Sequence, residues 1–467
     1  MSHFSNPAIA GFNPDPSVVL ADGLYYLATS TFEYLPGIAL YSSTDLTSWI
    51  PIGHVITRAE QADLSMVRTP GGVWAPTIRH HDGTFFVIVS IMFGSRGCVV
   101  YSADSPTGPW SKGVEIPAVD GYDPDLAWDD EGVAHVTFAK MGAGIQQLTV
   151  DLTTGRALEA ARPMWSGTGL HAPESPHLYK HGEYWYLLIA EGGTERGHAV
   201  SIARGSSARG PFVADTANPI LSARSTDCPI QNTGHADLAS TPDGGIALVL
   251  LGVRPLGFTR SFSPLGRETF ITDAKWVDGW IRPSLPVLHP PASADTEHFD
   301  LSDPEALHDP GWIGARRHPR DIIATPVTGR SLVLTGDGST LKDPSPTFVG
   351  RRQVNLNATV STRVNASAGR GGLAARHSEA HWFAVEAEGN GTKTRLTARA
   401  ALAGIDTEWH GELDGNDIEL RIESSSPGAD PAAMAALVVG GDRIRLLASN
   451  GHDEIQLAEL DGPLLVL

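Results

Sequence analysis

The chain has 467 residues, is 41% hydrophobic and 19% charged, and carries a formal net charge of −19. That acidic balance speaks against nucleic acid and membrane surfaces as partners, because both reward a basic face, and it leaves neutral substrates such as sugars open. The length points to two domains, and 50 glycines with 33 prolines suit an all-β chain rich in tight turns.

The N-terminus, MSHFSNPAIAGFNPDPS, has neither a basic n-region nor an apolar h-region, and no run approaches the ~18 apolar residues of a spanning helix. A cytoplasmic protein is the expectation. Cys98 and Cys228 are too few for a disulfide framework, and no Cys/His cluster has zinc-ligand spacing, so two free thiols are expected.

Five segments then repeat one pattern: DPSVVLADGLYYLATS from Asp15, APTIRHHDGTFFVIVS from Ala75, DPDLAWDDEGVAHVTFA from Asp123, ESPHLYKHGEYWYLLIA from Glu174 and HADLASTPDGGIALVLL from His235. Each runs from a polar or small residue through a short strand to a turn glycine, then into an apolar run. The starts lie 60, 48, 51 and 61 residues apart, which suits about four short strands per repeat. This predicts a five-bladed β-propeller over 1–290. The innermost strand of every blade lines the central channel, so Asp15, Ala75, Asp123, Glu174 and His235 are expected to face one another around the axis. Asp125 competes with Asp123 from the same strand face, but only Asp123 aligns with Asp15 in the repeat.

Residues 291–304 lie in a Pro-, Asp- and Ser-rich stretch and read as a linker. Beyond it, RRQVNLNATVSTRVN, HWFAVEAEG, KTRLTARAAL, DIELRIESS, AALVVGG and DRIRLLAS alternate as strands do, which predicts an antiparallel β-sandwich over 305–467. It is read as a cap or a sugar-binding module, with Trp382 and Trp409 the main candidates for stacking on a sugar ring. No long amphipathic helix is expected.

Three carboxylates in one channel suit glycoside hydrolysis. One carboxylic acid protonates the leaving oxygen, a second carboxylate activates water or attacks the sugar, and a third beside the acid raises its pKa. The segments NPAIAGFNPDPSVV, TSTFEYLPG, VWAPTIRHHDGTFF, YDPDLAWDDEG, ESPHLYKHGEYWYLLIAEGGT, TGHADL and SPLGRE, in that order, resemble glycoside hydrolase family 43, the β-xylosidase and α-L-arabinofuranosidase group. The resemblance implies Asp15 as general base, Glu174 as general acid and Asp123 as the carboxylate that orients the acid. It implies Arg267, His235, Phe32, Trp74, Ala75 and Thr194 as substrate-binding positions. No cofactor is required, with a calcium ion on the axis near His235 left open. Ser175 follows Glu174 where members of that branch commonly have glycine.

The function expected is an inverting exo-hydrolase that releases a terminal β-D-xylose or α-L-arabinofuranose from an oligosaccharide. The alternatives are an arabinan-directed hydrolase of the same family and a non-catalytic sugar-binding propeller. A homo-oligomer is left open.

Overall fold

The structure is a computed structural model. It describes residues 4–256, 263–289, 296–301, 303, 306, 308–324, 332–425 and 442–462. The chain is all-β. Its described α-helix, Pro319–Ile322, has four residues, and none of the described helices is long and apolar enough to cross a membrane. The chain divides into two compact units, the first formed by residues 1–253, 267–337 and 347–352, the second by 254–266, 338–346 and 353–467.

The first unit holds five antiparallel sheets that follow one another along the chain. They begin with Ser17–Ala21, Gly72–His81, Tyr122–Trp128, Glu174–His181 and Gln231–Ser240. Each of these first strands hairpins onto an almost wholly buried second strand, such as Leu24–Thr29 or Tyr184–Glu191. The first turns are two-residue loops at Asp22-Gly23 and Asp82-Gly83, with φ positive at both residues of each pair, the backbone that matches strand twist. Long apolar runs in the second strands follow from packing on both faces. The buried cluster around Phe270, Leu248, Leu188 and Tyr186, for instance, draws on the fourth and fifth sheets together.

The five first strands touch in cyclic order, the fifth returning to the first. The N-terminus closes this circle. Ala8 N–H donates to Thr269 O at 2.9 Å, and Asn6 bonds Ile271 at both ends of its side-chain amide, donating to O and accepting from N–H at 2.8 Å each.

The second unit holds two four-stranded antiparallel sheets. Their strands are Ala358–Asn365, Asp417–Ser425, Asp442–Ser449 and Glu454–Gly462 in one, and Arg370–Ser378, His381–Gly389, Lys393–Leu402 and Ile405–Asp414 in the other. One buried cluster takes Ile418, Leu420 and Leu446 from the first and Phe383, Val385 and Leu396 from the second. Trp382 is buried, and Trp409 is partly buried against this core. Most of AALVVGG and part of the expected linker lie outside the described residues.

The sequence reading begins the second domain at 305, whereas residues up to 337 group with the first unit. Gly314–Ala315 pairs with Tyr34–Leu35, a long-range contact that local patterning does not carry. Both cysteines are free thiols.

Asn6→Ala leaves the N–H and C=O of Ile271 unpaired in a buried seam. Stability should fall by about 1–3 kcal/mol, read as a lower midpoint in urea unfolding.

Candidate active site

Each first strand has a left-handed residue just before it or in its first half: Asp15 (φ 57°), Ala75 (37°), Asp123 (51°), Ser175 (52°) and His235 (50°). Non-glycine residues take this conformation at a cost of about 1–2 kcal/mol each. At four of the five starts the ladder is also broken by a register shift, as between Tyr122 and Asp125 or between Glu174 and His177. The bulges bend the strand end and re-aim its side chains.

This geometry corrects the repeat. The position equivalent to Asp15 in the fourth segment is Ser175, and the shared pattern is Asp15-Pro16-Ser17, Ala75-Pro76-Thr77, Asp123-Pro124-Asp125, Ser175-Pro176-His177 and His235-Ala236-Asp237. Glu174 sits one residue earlier, beside the bulge, at the position that Trp74 and Tyr122 hold in their own sheets. Counting back from the turn glycine misplaced it because Gly182 holds the first place of its two-residue loop, whereas Gly23 and Gly83 hold the second.

Asp15 is buried, and each of its oxygens is engaged. Arg267 Nη1 donates to Oδ1 at 2.8 Å, the Ser30 hydroxyl donates to Oδ2 at 2.6 Å, and His235 Nδ1 lies 3.7 Å from Oδ1. The same Ser30 oxygen accepts the Ala75 N–H at 2.7 Å, so Ala75 contributes its backbone to holding Asp15. Burial alone would raise the Asp15 carboxyl. The Arg267 guanidinium, His235 and the Ser30 hydroxyl outweigh it and hold the carboxyl below its ordinary value.

Asp123 and Glu174 behave in the opposite way. Asp123 is buried and accepts the Ser175 N–H at 3.1 Å, which fixes it to the backbone beside Glu174. Burial, then the charges of Glu174 and Asp15, push the Asp123 carboxyl well up. Glu174 keeps some exposure, and burial followed by the Asp15 charge raises it to about 7. The site thus combines a carboxylate that is ionised at all ordinary pH values with a coupled pair that retains a proton near neutrality.

The aromatic wall starts at Phe32, whose ring lies 5.5 Å from Phe12 and 5.9 Å from Trp74, with the Arg267 guanidinium 5.4 Å from its centroid. Trp74 continues the wall to Tyr122, edge to face at 6.4 Å, and is held by its indole N–H on Pro70 O at 2.7 Å. Thr194 lies in the turn Gly193–Gly197, with its hydroxyl buried and free of a hydrogen-bond partner. Next to it, Glu195 adds to the upward push on Glu174.

His198 follows that turn and escaped the sequence reading, since it lies on no repeat. It is fully buried, its Nδ1 is 3.8 Å from Glu174 Oε1, and burial drives its pKa down to about 3, so the ring is neutral. The ring fits because residue 234 is glycine: a Cβ there would lie 1.9 Å from His198 Cδ2.

His235 is also driven down, to about 4, chiefly by burial. Among the described residues no three His, Cys, Asp or Glu side chains gather as a metal site. The donors beside the axis are already engaged, Asp15 by Arg267 and both Asp125 and Asp237 by Arg79, so they do not fit the calcium ion that was left open.

A set of carboxyl groups with opposed protonation, walled by aromatic rings in a ring of β-sheets, is the equipment of a glycoside hydrolase. The model of glycosyl hydrolases family 43 matches residues 4–281, and the chain belongs to that family. It is 37% identical to a non-reducing-end α-L-arabinofuranosidase of Bacteroides ovatus over 385 residues, covering 78% of this chain and 70% of that protein. It is 34% identical over 405 residues to a xylan 1,3-β-xylosidase of Vibrio, covering 77% and 74%. Among solved structures, a family 43 protein of the Bacteroides ovatus xyloglucan locus superposes with a TM-score of 0.85 at 31% identity, covering 98% of this chain and 91% of that one. A xylan β-1,4-xylosidase of Bacillus halodurans gives 0.86 at 26% identity, covering 99% and 93%.

Gly234→Ala drives a methyl group into His198. Overpacking of this kind costs about 1–3 kcal/mol, expected as a lower melting temperature, while His198→Ala in the same chain should relieve most of the penalty.

Proposed function

We propose that the protein is an inverting exo-glycosidase that removes one terminal pentose, β-D-xylose or α-L-arabinofuranose, from the non-reducing end of an oligosaccharide. Its five sheets are read as the blades of a five-bladed β-propeller, and the paired sheets of the second unit as a β-sandwich. The observation that carries the catalytic assignment is the opposed behaviour of Asp15 and Glu174 within one pocket. Asp15, kept ionised by Arg267 and Ser30, is the general base that takes a proton from water. Glu174, its carboxyl raised to about 7, is the general acid that protonates the departing oxygen. Asp123 accepts the backbone N–H of Ser175, next to the acid, and so orients it, while burial and the Asp15 charge keep the proton on Glu174. Phe32 and Trp74 pack against the sugar, and Arg267, His235 and Thr194 supply polar contacts. The names of the curated relatives favour a pentose at a non-reducing end. The chemistry needs only carboxyl groups and water.

Proton NMR of the sugar released from an aryl β-D-xyloside and an aryl α-L-arabinofuranoside tests the proposal directly. Inversion predicts α-xylose or β-arabinofuranose as the first anomer seen, before mutarotation. Release of the same anomer as the substrate, or release of neither sugar, rejects the reading.

The pH dependence follows from the two shifts. The base must be ionised, and its lowered pKa puts the acid limb of kcat/KM below about pH 4. The acid must be protonated, so activity should fall as pH rises through about 7. Glu174→Gln should abolish the basic limb and slow poor leaving groups far more than activated ones.

A further inference from the structure

In four of the five sheets the residue two places after the left-handed position, namely Ser17, Asp125, His177 and Asp237, gathers around Arg79, which comes from the first strand of the second sheet. Arg79 touches all four. Its Nη2 donates to Asp125 Oδ1 at 2.7 Å and lies 3.0 Å from His177 Nδ1, and its Nη1 donates to Asp237 Oδ2 at 2.9 Å and to Ser17 Oγ at 3.2 Å. Both aspartates are wholly buried, and 14% of the Arg79 side chain is exposed.

The residues that Arg79 holds also tie neighbouring sheets together through the backbone. Ser17 Oγ accepts the Ile78 N–H at 3.0 Å, Asp125 Oδ2 the Leu178 N–H at 2.9 Å, and Asp237 Oδ2 the Val18 N–H at 3.0 Å. The Tyr179 hydroxyl donates to Asp237 as well. These links join the first sheet to the second, the third to the fourth and the fifth to the first.

Each anchored residue stands two places after a left-handed residue: Ser17 after Asp15, Asp125 after Asp123, His177 after Ser175, Asp237 after His235. Strained bulges persist only where their surroundings over-determine them. We propose that Arg79 is a positioning residue for hydrolysis. By binding Asp125, Asp237, His177 and Ser17 at once, it fixes the strand starts that aim Asp15, Asp123, Glu174 and His235 into the pocket. Lysine cannot replace it, because a point charge on a single nitrogen does not reach several partners in a fixed fork. The inference rests on the catalytic roles assigned above to Asp15, Asp123 and Glu174.

A cavity of about 340 Å³ is lined by Arg79, His80, Leu126, Tyr179, Lys180 and Leu238 among others. It supplies a route for chemical rescue. In Arg79→Ala the two aspartates lose their counter-ion while the space for a guanidinium ion remains.

The test compares wild type, Arg79→Ala and Arg79→Lys in kcat and KM on an aryl pentoside, with and without guanidinium chloride at millimolar concentration and with sodium chloride as control. Misplaced catalytic groups should cost Arg79→Ala about a hundredfold in kcat with KM changed by only a few fold. Guanidinium, and not sodium, should restore about a tenth or more of the lost rate and raise the melting temperature of the variant. Arg79→Lys should remain folded and still lose most of kcat. Wild-type kcat in a folded Arg79→Lys, or a guanidinium-induced rise in melting temperature without any gain in kcat, overturns the positioning role. If Arg79→Ala does not fold, the Lys variant decides alone. An inactive wild type would instead fail the functional reading, and the melting-temperature response reports on the Arg79 site independently of activity.

Discussion

Burying like charges together is the constraint around which the first unit is organised. Bringing five strand starts to one axis places Asp15, Asp123, Glu174, Asp125 and Asp237 in a small, largely dry volume. An uncompensated buried carboxylate costs several kcal/mol, and a pair of them costs more. The fold meets this in two layers. Arg267 pairs with Asp15 and the Ser30 hydroxyl donates to it, and Arg79 is shared between Asp125 and Asp237. Asp123 and Glu174 are left without a cation in hydrogen-bond contact among the described residues. The remaining charge problem is solved by retaining a proton, which is the state a general acid needs.

The same logic accounts for the histidines. His198 and His235 are buried next to Arg267 and to each other, an environment that disfavours a further positive charge. Both rings are therefore neutral, and Gly234 gives His198 its room. The loop carrying Ser30 and Phe32 is braced from a distance in sequence. Glu33 O accepts the Arg316 N–H at 2.8 Å, and the Thr69 hydroxyl donates to Glu33 at 2.7 Å while accepting from Arg316. A segment that follows the five sheets thereby supports the wall of the pocket.

Much of this was legible in the chain because repeats convert sequence position into spatial position. The recurrence of a polar residue, a strand, a turn glycine and an apolar run was enough to bring Asp15, Asp123 and His235 to one axis. The strands HWFAVEAEG, KTRLTARAAL, DIELRIESS and DRIRLLAS were readable because each alternates between a buried and a solvated face, and the structure places them at 381–389, 393–402, 417–425 and 442–449. Ile405–Asp414 alternates Ile405, Thr407, Trp409, Gly411 and Leu413 with charged residues and His410, but threonine and glycine thin its apolar face and most of its residues are solvated, so it was not read as a strand.

What the sequence determined by itself was the all-β class, the repeat, the acidic residues at the strand starts and the family. These are encoded in local periodicity and in spacing. Tertiary structure decided that Ser175 and not Glu174 is the repeat position, since strand pairing and the left-handed backbone, not the distance to the turn glycine, mark it. It also decided that Arg79, His198 and Ser30 belong with the catalytic groups, and that residues 314–315 pair with 34–35. Those facts depend on through-space contacts between segments remote in sequence, and on which buried charges find a partner, and no local pattern records either.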